Sequence, residues 1–169
     1  MAELPGASFF YSLAALSMAF VGFTSVVVVL YQSTGRQLSN FHILLTRLFV
    51  ELGLMATGFA MLAPVLHMCG LATDLVWRIS SVIMLAVLAP WLVYYPFRRK
   101  SAAPDQSLPL RWYVMTSAGI AACAYLAANA LAWRIDVGPA PLVVATVFVL
   151  SYATVAYIGT YSLFTRRFE

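Results

Sequence analysis

The feature that most constrains this chain is an apolar run from Phe41 to Leu66 that carries Arg47 and Glu51 four residues apart. As a helix the run rises about 1.5 Å per residue, enough to cross a hydrocarbon layer roughly 30 Å thick. Counted from Phe41, Glu51 then lies roughly 15 Å in, towards the middle of that layer. An uncompensated charge there costs on the order of 3 kcal/mol, so the segment has to supply or find a partner for it.

A core folded in water does not account for the composition. The chain of 169 residues is 63% hydrophobic and 9% charged, with a mean hydropathy of +0.88, whereas a soluble domain carries about 25% charged residues. Five apolar runs of spanning length predict an all-α, polytopic membrane helix bundle in a single domain, with spans at roughly 7–31, 41–68, 74–96, 110–133 and 141–164. The polar stretch 97–109 reads as the one substantial loop. Pro96 is expected to end the third span, and Pro64 and Pro90 to kink theirs. The N-terminus has Glu3 in place of a basic leader region, so a retained first span is expected in place of a signal peptide.

Orientation follows from the basic residues that flank the spans. Arg36, Arg98, Arg99, Lys100, Arg111, Arg166 and Arg167 fall on one side and Arg134 on the other. This asymmetry predicts an outside N-terminus and a cytoplasmic C-terminus, and a bacterial inner membrane is the expected location. The net charge of +4 sits at the ends of apolar runs and not on a polar tail, which argues against nucleic acid as a partner. Arg98, Arg99, Lys100, Arg166 and Arg167 are expected to touch anionic headgroups on the cytoplasmic side.

At 100° per residue, Arg47, Glu51 and Gly58 share one narrow arc of the second helix, which is expected to face protein. The pair reads either as a site for a cation or a relayed proton, or as an internal ion pair that fixes packing. Ser17 and Thr24 on the first span, Asn129 on the fourth, and Thr154, Tyr157 and Tyr161 on the fifth could line a path or bond between helices. Asp74 and Arg78, four apart, are expected to pair at the outer interface. Gly22 is expected to let the first span approach a neighbour, and the alanine-rich fourth span to sit centrally or at a subunit interface.

His42 and His67 lie at opposite ends of one span, and Cys69 and Cys123 form no CxxC. No metal or other cofactor is therefore expected, and no enzyme motif is present. Two functions fit: an oligomeric channel or carrier for ions or protons using the Glu/Arg pair, or a non-catalytic assembly subunit of a membrane complex. A bundle this small implies a homo-oligomer or a partner membrane subunit.

Overall fold

The computed structural model describes residues 4–33, 40–102, 110–132 and 137–165. Among these it contains α-helices and no strands: α1 (Ala7–Ser33), α2 (Asn40–Met68), α3 (Thr73–Ala102), α4 (Leu110–Leu131) and α5 (Ala140–Thr165). All five are long and apolar enough to cross a membrane, so the chain is an integral membrane helix bundle. Arg36, Arg134, Arg166 and Arg167 lie outside the described residues, as do the side chains of His42 and Tyr161.

The turns are set by a few residues. α2 stops at Gly70, whose φ of 84° is a left-handed conformation that a side chain would strain. Its N–H donates to the His67 carbonyl at 2.9 Å, closing the helix end. α4 ends in the same way at Ala132, with φ of 51° and an N–H donated back to the Asn129 carbonyl, so the fourth helix stops short of Trp133. α3 differs more from expectation, running through Pro96 to Ala102 where residues 97–109 were expected to form a loop. A proline within a helix removes one backbone donor, and the turn beyond it is held by other means. Ser101 donates its hydroxyl to the Phe97 carbonyl, and Arg98 is bound to α2.

α2 is the central element. Its buried residues Leu45, Phe49, Leu52, Ala56 and Phe59 recur at steps of four and three with Leu48 beside them, and the helix packs against α1, α3 and α5. The fourth helix is peripheral, packing chiefly on α3 and α5, which removes the first of the two places expected for it, a central one. Its bulky residues Tyr113, Val114, Ile120 and Leu131 point outwards, while Gly119, Ala122, Leu126 and Asn129 form a narrow buried seam. Small residues here allow a close seam on one side of the helix and do not make it a hub.

Close approach between α1 and α2 occurs at Gly53 and not at Gly22. A Cβ on Gly53 would overlap the Val21 side chain, whereas one on Gly22 meets nothing within 4 Å. Gly53→Ala is therefore expected to cost about 1–3 kcal/mol by overpacking, and Gly22→Ala to stay within about 0.5 kcal/mol of wild type. Thermal unfolding of the two variants in detergent, followed by circular dichroism, checks the contrast.

Candidate functional site

The site grows from the antiparallel packing of α2 and α3. Side chains on a helix tilt towards its N-terminus. Glu51 therefore reaches towards the end of the bundle where α2 begins, and Arg98 reaches back from the end of α3 towards the bilayer interior. Glu51 is 17 residues before Met68 and Arg98 is 25 residues after Thr73. From their shared turn the two Cα atoms thus differ in height by roughly 12 Å at about 1.5 Å per residue. The two extended side chains cover that difference. Arg98 donates from Nη1 to Oε2 of Glu51 at 2.6 Å and from Nη2 to Oε1 at 3.2 Å. Arg47, one turn earlier on α2, donates from Nε to Oε1 at 2.7 Å.

One carboxylate is thus held by two guanidinium groups. Among the described residues these are the two ion pairs present, and both are made by Glu51. The Arg98 side chain is 17% exposed and that of Glu51 29%, but the Arg47 side chain is 70% exposed. The cluster carries one net positive charge, and its outward part is Arg47. The sequence places Arg98 among headgroup-contacting residues on a loop; the structure instead makes it the inner partner of Glu51. The missed signal is the spacing Met84, Leu88, Trp91, Tyr95 and Arg98, a run of alternating four- and three-residue steps that passes straight through Pro96.

Two open grooves meet at the cluster on the outer face of α2 and α3. The larger, of about 600 Å³, is lined by Leu54, Gly58 and Leu62 of α2 and Ile83, Val87 and Trp91 of α3, with Glu51 at one end. The other, of about 470 Å³, holds Arg47 and Arg98 together with Tyr94, Phe97 and Ser101. Gly58 thus joins Glu51 in an exposed groove and not in a protein interior.

The remaining residues do not gather there. Ser17 and Thr24 are buried, and each gives its hydroxyl to a carbonyl of its own helix, Leu13 at 2.7 Å and Phe20 at 3.1 Å. Exposed Thr154 does the same with Leu150. Tyr157 is half-buried against the Phe20 and Phe49 rings. Asp74 and Arg78 do not pair with each other or with any other described residue; both are exposed, and Asp74 lies in the first turn of α3, where the exposed backbone N–H groups already favour an anion. Cys69 and Cys123 are free thiols, and no three of His, Cys, Asp and Glu come together among the described residues.

Asn129 forms a second polar centre. Its Nδ2 donates to Ser81 Oγ at 2.8 Å and to the Gly138 carbonyl at 3.2 Å, and its Oδ1 accepts the Gly138 N–H at 3.1 Å. The side chain is fully buried. It fastens α4 to α3 and to the turn before α5, and both of its donors and one acceptor site of its oxygen are used within the fold.

No family model, curated protein or solved structure matches this chain. The fold and the site together define a five-helix integral membrane protein with a net-cationic charge cluster on an outward groove.

Two contrasts follow for stability in detergent. Arg98→Gln removes two of the three bonds to Glu51 and is expected to cost about 2–3 kcal/mol, while Arg47→Gln, at an exposed position, costs less than about 1 kcal/mol. Equal losses would mean that the cluster does not depend on its inner arginine. Asn129→Leu leaves Gly138 without partners for its N–H and carbonyl and is expected to cost about 1–3 kcal/mol. A melting temperature equal to wild type would show that the turn does not need the amide.

Proposed function

We propose that this protein is a non-catalytic membrane carrier or channel for anions, and that the Arg47–Glu51–Arg98 cluster is its recognition point. The observation that carries the reading is the second arginine. A Glu/Arg pair alone fits a cation or proton site, but a carboxylate already bonded by two guanidiniums leaves one net positive charge, with Arg47 directed outwards. Protonating Glu51 would leave two positive charges facing each other, so the cluster is poorly built to relay protons. Charges at this depth are costly and are retained where they serve transport or binding.

The proposal includes a homo-oligomer that associates through α1 or α4, the helices with the least buried spans, leaving the α2–α3 groove open. It also includes a bacterial inner membrane with the basic end of the bundle towards the cytoplasm, on the positive-inside asymmetry of the sequence. The assembly-subunit reading is favoured by one observation, that Ser17, Thr24 and Asn129 spend their hydrogen bonds within the fold.

Liposome flux separates the two. Wild type is expected to pass chloride or nitrate above protein-free vesicles, and Arg47→Gln to reduce that flux roughly tenfold, the loss of one charge-assisted hydrogen bond, with the melting temperature almost unchanged. Flux of K⁺ or H⁺ in place of anions, or no flux at all, overturns the carrier reading. The second outcome leaves the assembly subunit.

A further inference from the structure

The geometry points to a bound anionic phospholipid as the occupant of the α2–α3 groove, with its phosphodiester on Arg47 and one acyl chain laid along Leu54, Gly58 and Leu62. This rests on reading the cluster as anion-recognising, though not on transport. Three observations meet at one place. The groove beyond Glu51 is lined by apolar side chains on both helices. Its length from Glu51 to Leu62 is about 16 Å at roughly 1.5 Å per residue, long enough to hold much of one acyl chain. At the headward end the second groove presents Arg47, Arg98, the Tyr94 edge and Ser101. Apolar depth that ends in a single excess positive charge is complementary to an amphiphile with one negative charge at its head.

The division of labour between the arginines fits such a ligand. Arg98 is bidentate on Glu51 and is thereby committed, but it keeps the carboxylate from repelling an incoming phosphate. Arg47 gives Glu51 only Nε–H, which leaves its outer edge directed to the groove mouth, 70% exposed. A guanidinium held from one side by a carboxylate is fixed in orientation before the phosphate arrives, which reduces the ordering cost of binding. Gly58 keeps the apolar limb clear: a Cβ there would meet nothing within 4 Å, and a larger side chain would occupy the path of the acyl chain.

Native mass spectrometry of the full chain, delipidated in detergent and titrated with phosphatidylglycerol or phosphatidylcholine of identical acyl chains, tests the assignment. Wild type is expected to prefer phosphatidylglycerol by roughly tenfold. Arg47→Gln should abolish the preference, Arg47→Lys should restore part of it, and Gly58→Leu should weaken both lipids together. A Gly58→Leu variant that fails to fold is replaced by Ile83→Trp on the facing helix. Equal binding of the two lipids, or a preference untouched by Arg47→Gln, overturns the proposal. So does glycerol phosphate competing as well as the whole lipid, which would mean that the anion alone is recognised. A dimer that Gly58→Leu dissociates would make a second copy the occupant and also overturn it. Selective lipid binding without ion flux leaves this assignment standing and removes the carrier; flux without lipid selectivity does the reverse.

Discussion

A carboxylate within an apolar layer has to be neutralised, and the packing of α2 on α3 is arranged around that requirement. Glu51 cannot face lipid uncompensated at this depth. Its own helix offers Arg47 one turn away, but that arginine is mostly exposed and gives a single bond. Most of the compensation comes from Arg98, 47 residues later in the chain, through two further bonds. The pair links two helices whose remaining contact here is apolar, so it fixes how α3 sits along α2 in a way that interchangeable hydrophobic side chains do not. That specificity is a role for which buried ionic groups are retained even where their net contribution to stability is small.

The other polar residues divide by what satisfies them. Hydroxyls on α1 and α5 return to carbonyls of the preceding turn, which removes a donor from the apolar medium without linking helices. Asn129 has an amide that one helix cannot satisfy, and it reaches Ser81 and Gly138 to find partners. A fastening inside the bundle and a charge cluster on its outer face result. The second has bonding capacity left over, which is why the functional reading rests on it.

Much of the fold was legible in the sequence, because five hydrophobic runs separated by Gly, Pro and charged residues leave little choice of element. The charge pair at Arg47 and Glu51 was legible as well, since four-residue spacing brings such side chains together on any helix. Arg98 was harder to read because local rules compete there: a proline two residues earlier argues for a helix end, and only the seam through Met84, Leu88, Trp91 and Tyr95 argues for continuation. The central place offered for α4 fails for a related reason, while the alternative, a subunit interface, is untouched by the packing within one chain. A run of alanines says how closely a helix can be approached, but it does not say from how many sides. Likewise the close contact of α1 with α2 depends on which of several glycines lies opposite a branched side chain, Val21, and pairing across helices is not encoded in either helix alone.

Arg47, Glu51 and Arg98 all lie on α2 and α3, two antiparallel helices joined by a short turn at Gly70. They form a helical hairpin that is synthesised before α4 and α5. The ionic contacts within it need no residue from the later helices. The hairpin can therefore leave the insertion machinery with its charges already matched, and the last two helices meet a partner whose most costly groups have been dealt with.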